Sequence, residues 1–327
     1  MKSFEYSAPR DEAGVLSVLS AEAGHTEILA GGTDLIGLMK KFIVTPDRVV
    51  NIKEVRSLRG IDADSEGVTI GAVTNLDDIL ESPHLNEFPS VQQAIRNMSS
   101  PQLQAQGTIG GDLCQRPRCW FYRNGYGRLA AASLIADGDN RFHAIFGNEG
   151  AAKFVSASRL APALVALGAE VRIIGPGSQD ELFMPLASLF QTPRTEWQRE
   201  TVLEPNQLLT HIRIPRQGAA NGTYEVRHGE GPDYPLVAAS AALRVESGIV
   251  RQAAIVLGQV APTPWFSADA VRAIVGRPVT EVTADAAGEA AIATATPLSG
   301  NGYKVQLAKV AVKRAILSAA GLETGGF

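Results

Sequence analysis

The sequence is short of cysteine: only Cys114 and Cys119 occur in 327 residues, and not in C-x-x-C spacing. Two thiols cannot staple a chain of this length, which excludes a disulfide-built secreted module and fits a reducing compartment. Long apolar runs are missing too. No stretch of about 18 apolar residues occurs, which excludes a membrane-spanning helix. The opening MKSFEYSAPRDEAG lacks the apolar core of a secretion signal. The expected location is therefore the cytoplasm, or the periplasm if a signal-bearing partner carries the folded chain out. Neither sign of charge dominates, with 30 Lys and Arg against 34 Asp and Glu, and that balance argues against a nucleic-acid groove. Also absent are a metal-ligand cluster and a paired nucleophile and base.

What the chain does have is two glycine pairs, each directly after a hydrophobic segment: LAGGTDLIGLMK at 29–40 and GTIGGDLCQ at 107–115. Without a Cβ, Gly31-Gly32 and Gly110-Gly111 can take positive φ and approach another surface closely. A helix opening after Gly32 would point unpaired N–H groups outward and favour an anion there. Thr33 and Asp34 suit its start, and Leu35, Leu38 and Met39 give it an apolar stripe. Asp34 would repel a bare phosphate, so its expected task is to cap the helix or hold a hydroxyl. Either pair taken alone is equally an ordinary glycine turn.

In chain order, residues 1–55 read as a small β-α-β-α-β lobe with the first glycine turn at a strand's C-terminal end, where open α/β sheets bind ligands. Residues 56–80 read as a hairpin and a helix capped by Thr74 or Asn75. A helix with Val91, Ala94, Ile95 and Met98 inward follows, stopped by Ser100-Pro101. Residues 115–150 show no sustained period and are rich in Arg, Gly and aromatics. Such a stretch is usually functional or mobile. Here its order is expected to come from burying Trp120, Phe121, Tyr122, Leu129, Phe142 and Phe146 against a partner chain. A helix and strand in LAPALVALGAEVRIIG and a strand in QLLTHIRIP close the lobe at Pro215. The last third reads as three antiparallel strands and two alanine-rich helices, an α+β unit. The expected division is 1–216, with lobes at about 1–55 and 56–216, and 217–327.

Among single residues, Arg116, Arg118 and Arg123 could clamp phosphate or form a basic face against a partner. Cys114 and Cys119 are expected to be inert, His143 packed and hydrogen-bonded, and His211 on the polar side of its strand. Tyr224 and Tyr234 could stack on a planar ligand or pack the sheet.

AGGTDLIGLMK, SSPQLQAQGTIGGDLCQRPRCWFYR, ADGDNRFHAIFG, APALVALGAEV and LGQVAPTPW, in that order, resemble the FAD-binding medium subunit of the xanthine dehydrogenase and CO dehydrogenase family. Within it the chain looks most like the medium subunit of bacterial molybdenum aldehyde oxidoreductases. The resemblance implies a two-lobed, vanillyl-alcohol-oxidase-like FAD domain and a C-terminal domain of the CO dehydrogenase flavoprotein type that packs near the isoalloxazine. It places the FAD diphosphate on Ala30, Gly31, Gly32, Thr33, Asp34 and Leu35. Thr108, Gly110, Gly111 and Asp112 would close over the cofactor from the other lobe, with Leu209 beside it. It also implies partners: a large subunit with molybdopterin and a small subunit with two-iron clusters, which pass electrons through this FAD to NAD, oxygen, a quinone or a protein. An FAD-free assembly subunit and a free-standing flavin oxidase are the alternatives. The glycine pairs argue against the first, and no residue reading as a covalent flavin anchor argues against the second.

Three departures from the family pattern stand out. Relatives with the QRPRCW sequence resemble proteins holding a four-iron cluster on four cysteines, whereas only Cys114 and Cys119 stand here. Two thiolates do not make that ligand set, so no such cluster is expected. Arg159 stands where the family has an acidic residue, and Glu225 where it has lysine. A fourth, milder change is Asp112, where Asn is commoner.

Overall fold

The computed structural model describes residues 1–126, 132–177, 179–195, 198–229 and 231–325. The first lobe runs β1 (Glu5–Ser7), α1 (Glu12–Val18), β2 (Thr26–Leu29), α2 (Leu35–Lys40) and β3 (Arg48–Asn51). Its strands are parallel in the order β1-β3-β2, which is the β-α-β-α-β lobe expected from the sequence. Asp11 starts α1 by accepting from the Gly14 amide. Three short strands cannot enclose a core alone. Val15, Val50 and Ile52 accordingly share theirs with Ile174 and Leu208 from the next lobe.

That second lobe is a five-stranded antiparallel sheet in the order β4-β5-β8-β6-β7. Its strands are β4 (Ile61–Ala63), β5 (Gly67–Gly71), β6 (Glu170–Ile174), β7 (Glu181–Pro185) and β8 (Leu208–Pro215). Val68 and Ile70, and Ile212 and Ile214, recur at period two on the buried face. Helices α3 (Leu76–Glu81), α4 (Pro89–Arg96), α5 (Pro101–Gln106), α6 (Ile109–Cys114), α7 (Ala132–Asp137) and α8 (Ala161–Ala166) accompany it, and α3, α4, α6 and α8 bury side chains in its core. The sequence left α5 and β7 unforeseen. Pro101 ends the helical run before it but also sits at the first turn of α5, where Ser100 accepts from the Leu103 amide.

In the C-terminal unit, β9 (Ala220–Val226), β10 (Val237–Glu246), β11 (Ile249–Gly258) and β12 (Trp265–Phe266) form an antiparallel sheet in the order β12-β11-β10-β9. It is backed by α9 (Ala268–Ile274), α10 (Glu281–Ile292) and α11 (Tyr303–Ala319). The sequence reading had two helices here and missed α10. The buried stripe of α10 is Ala284, Ala287, Gly288 and Ala291, so it shows no bulky periodicity. Small residues are what the packing needs: a Cβ on Gly288 would lie 2.6 Å from the Lys309 carbonyl oxygen.

Residues 115–150 are less irregular than expected. The described part holds a π-helical turn at Tyr122–Tyr126 as well as α7. The chain also orders much of the segment itself. Tyr122, Cys119 and Ile135 pack with Leu38 and Phe154, and Phe146 stacks on Trp265 at 5.1 Å. Phe142 remains exposed, and Leu129 lies outside the described residues. Residues 140–148 lie along 296–304. Asn301 donates to the carbonyls of His143 and Ala144, Asn140 donates to Ser299 and accepts from the Gly300 amide, and Asn148 donates to the Thr296 carbonyl. Lys304, buried, donates to the carbonyls of Phe142, His143 and Gln259. Burial lowers its ammonium to about 7.

Candidate functional site

The turn Gly31–Leu35 joins β2 to α2 at the C-terminal edge of the parallel sheet. Gly32 sits at φ +74, a conformation glycine adopts without strain. Gly31 is needed for a different reason: any Cβ there would collide with the Gln106 carbonyl oxygen, so the two lobes meet main chain to main chain. Among the described residues, no hydrogen-bond acceptor faces the amides of Gly31, Gly32, Thr33, Asp34 or Leu35. Successive unpaired amides make an anion-binding concavity. Since α2 has only 6 residues, the turn's own amides matter more than a helix dipole.

These residues line a cleft that is open to solvent and walled from both lobes. Its lining runs from Ala23 and Thr26 through the Gly31 turn to Gln207 and Leu209, a wider spread than a lone phosphate needs. Ala30, Gly31, Gly32, Thr33, Asp34 and Leu35 form one wall, and Thr108, Gly110, Gly111 and Leu209 belong to the other. Asp112 is not on this cleft. It lines a smaller adjoining pocket that shares Thr33, Asp34, Thr108 and Gly111 with the first and is closed by Arg118, Arg159 and Tyr234. The structure thus brings all eleven expected residues to two connected hollows. The sequence reading missed the segment 199–205, whose Arg199, Thr201 and Leu203 also face the cleft. It is a loop with no motif or period, and only its place just before β8 could have drawn attention to it.

The second glycine pair differs from expectation. Gly110 and Gly111 are in the first turn of α6, and neither has positive φ. The amides there are already paired: Ile109 with Thr74, Gly110 with Ala72, and Gly111 with the Thr108 hydroxyl. Gly110 is small because a Cβ would lie 2.8 Å from the Ala72 Cβ and 2.9 Å from its carbonyl oxygen. This turn shapes the cleft wall and offers no amides to an anion.

Asp34 neither caps α2 nor stays free for a hydroxyl. Its Oδ2 accepts from the Arg116 amide at 2.9 Å, and its Oδ1 lies 2.7 Å from Nη1 of Arg123 and 3.5 Å from Nη1 of Arg118. The three arginines form neither a phosphate clamp nor an open basic face. Arg116 pairs with Glu200 at 2.5 Å. Arg118 lies over the Tyr234 ring at 4.5 Å and donates to its hydroxyl at 2.8 Å. That hydroxyl in turn donates to Gln115 at 2.5 Å, and burial pushes its pKa up.

Beneath the smaller pocket, Asp112 accepts from the amides of Arg159 and Leu160 and from the Ser158 hydroxyl. It thereby holds the chain entering α8, and burial pushes its carboxyl up against these bonds. Arg159 reaches Glu225 on β9 at 2.6 and 3.2 Å and the Asn97 carbonyl at 2.7 Å. Tyr224 instead packs in the C-terminal unit, where its hydroxyl accepts from Arg314. His211 meets the Ser57 carbonyl at 2.9 Å.

The cysteines face different surroundings. Cys114 lines the large cleft, and desolvation pushes its thiol up to about 12. Cys119 is buried, and its Sγ lies 3.2 Å from Nε2 of His143. Burial raises that thiol and lowers the imidazole to about 4, so the pair is neutral near pH 7 and unlike an activated thiolate. No three His, Cys, Asp or Glu side chains are grouped as metal ligands among the described residues.

Residues 2–217 match the family model for the FAD binding domain in molybdopterin dehydrogenase, and 222–319 match that for the CO dehydrogenase flavoprotein C-terminal domain. The carbon monoxide dehydrogenase medium chain of Hydrogenophaga pseudoflava is 26% identical, over 97% of this chain and 96% of that one. The aldehyde oxidoreductase FAD-binding subunit of Escherichia coli is 28% identical, over 94% and 96%. Among solved structures, carbon monoxide dehydrogenase from H. pseudoflava superposes with TM-score 0.76 at 25% identity, covering 97% of both chains. Quinoline 2-oxidoreductase from Pseudomonas putida 86 shares the fold, with TM-score 0.76 at 23% identity.

Proposed function

The chain belongs to the family of FAD-binding domains of molybdopterin dehydrogenases, and on that premise we propose that it holds FAD in the large cleft as the electron-transfer subunit of a molybdenum hydroxylase. The observation that carries this reading is the run of five amides, Gly31 to Leu35, without acceptors on the wall of an open cleft lined from both lobes. A diphosphate supplies the acceptors that these donors lack. Leu35 and Leu209 give the cleft apolar lining, while Thr108, Gly110, Gly111 and the buried wall of α6 fix its width. Thr33, Asp34, Arg118 and Tyr234 continue into the adjoining pocket, which lies against the C-terminal unit and suits the flavin end of the molecule.

Bound FAD supplies the exchange between one-electron carriers and a two-electron acceptor, chemistry that belongs to the cofactor. The chain's part is to position it and keep water from its buried face. By likeness to the aldehyde oxidoreductase and carbon monoxide dehydrogenase chains, the partners are a molybdopterin-bearing large subunit and a small subunit with two-iron clusters. The final acceptor is NAD, oxygen, a quinone or a protein.

Purification of the full chain with a flavin count tests the reading. One FAD per chain, released by acid precipitation, is the expected result. A folded chain that neither carries flavin nor takes it up on reconstitution overturns it.

A further inference from the structure

The five unpaired amides include that of Asp34, whose own carboxylate is the wrong charge to stand beside a diphosphate. The structure deals with that carboxylate from the opposite lobe. Arg123 places Nη1 at 2.7 Å from Oδ1 of Asp34, and its remaining donors are anchored on the carbonyls of Pro117 and Arg116 at 2.8 and 2.6 Å. Both side chains are largely buried, at 13% and 16% exposure, so the pair is poorly screened by water. Arg118 is a second, more exposed cation at 3.5 Å. Two guanidinium groups thus face one carboxylate, and the turn carries net positive charge instead of negative. Arg123 is absent from the walls of both hollows and has no contact of its own with a ligand there.

We propose that Arg123 is a positioning residue for the diphosphate: it cancels the Asp34 charge and so makes the turn Gly31–Leu35 fit to bind an anion. This rests on the reading of the large cleft as the FAD site. Removing the guanidinium exposes the incoming phosphates to an uncompensated carboxylate, and removing both charges together takes the penalty away.

The test is titration of flavin-stripped full-length chain with FAD, ADP and riboflavin. Arg123→Gln is expected to weaken FAD and ADP by at least about tenfold, a difference of about 1.4 kcal/mol. Riboflavin, which has no phosphate, binds it as it binds the wild type. The double variant Asp34→Asn/Arg123→Gln recovers FAD binding to within about threefold of wild type. Three results overturn the inference: undiminished FAD binding by Arg123→Gln, a double variant as weak as the single one, or equal loss of riboflavin. If Arg123→Gln does not fold, Asp34→Asn alone decides. It should bind FAD at least as tightly as wild type, and weaker binding overturns the idea. A wild-type chain that binds neither FAD nor ADP removes the reading of the cleft itself, whereas normal wild-type binding with an indifferent Arg123 removes only this role.

Discussion

Arg159 and Glu225 meet as a two-pronged ion pair, Nη2 to Oε2 at 2.6 Å and Nε to Oε1 at 3.2 Å. Their side chains are only 4% and 1% exposed. The pair ties the start of α8 to β9 and so joins the FAD-binding part of the chain to the C-terminal unit. Burial pushes the Glu225 carboxyl up, and the Arg159 charge opposes it.

Breaking this pair should cost more than reversing it. Glu225→Ala strands a buried guanidinium and is expected to destabilise the chain by about 3–5 kcal/mol. The reversed pair Arg159→Asp/Glu225→Lys should lose clearly less than the two single changes added together. Urea unfolding of the four proteins measures the coupling. Simple additivity would mean that the two residues act independently.

The same pair shows where sequence reasoning stops. Each residue stood out alone as a charge reversed against the family pattern. That the two reversals answer each other could not be read from positions 66 apart. The elements that were legible had local causes: the period-two pattern of β8, the Pro101 stop, and the positive-φ turn at Gly32. Those missed depended on the partner surface. The stripe of α10 is alanine and glycine, and the small size of Gly110 answers to Ala72 instead of to a ligand.

Gly110 therefore gives a second prediction. Gly110→Ala should lower the stability of flavin-free protein by about 1–3 kcal/mol, because the added methyl overpacks against Ala72. Gly32→Val should cost a similar amount through its φ of +74 and should also strip flavin from the folded chain. Thermal melts of apoprotein, paired with flavin absorbance, separate the two. Unchanged apoprotein stability in Gly110→Ala would contradict the Ala72 contact.

Iron content is a third. Cys114 faces the cleft and Cys119 pairs with His143, so the two thiols are committed to different surroundings. Anaerobically purified chain should show a flavin spectrum without broad iron–sulfur absorbance. Stoichiometric iron and sulfide in that chain would refute the expectation.

Stability should also depend on pH in two windows. Lys304 has a folded value of about 7 against an ordinary 10.5. Between these the unfolded chain holds the extra proton, so stability rises with pH, by up to about 1.4 kcal/mol per unit. His143 has a folded value of about 4 against 6.5. Its contribution is complete above 6.5 and is lost as pH falls towards 4. Comparing denaturation of wild type with Lys304→Met from pH 7 to 9, and with His143→Gln from pH 4 to 6.5, isolates each slope. Parallel wild-type and variant curves would mean that the group does not titrate as assigned.

The strip 140–148 finds its partners about 160 positions later, in Ser299, Gly300, Asn301 and Lys304. During synthesis those partners leave the ribosome about 160 residues after the strip, while domains otherwise tend to fold as they emerge. The nascent first part can form its sheets early, but strip 140–148 must wait for residues 296–304 to emerge. Residues 296–304 are thus the final stitch in the amino-terminal fold, and a chain stopped short of residue 296 would leave it open.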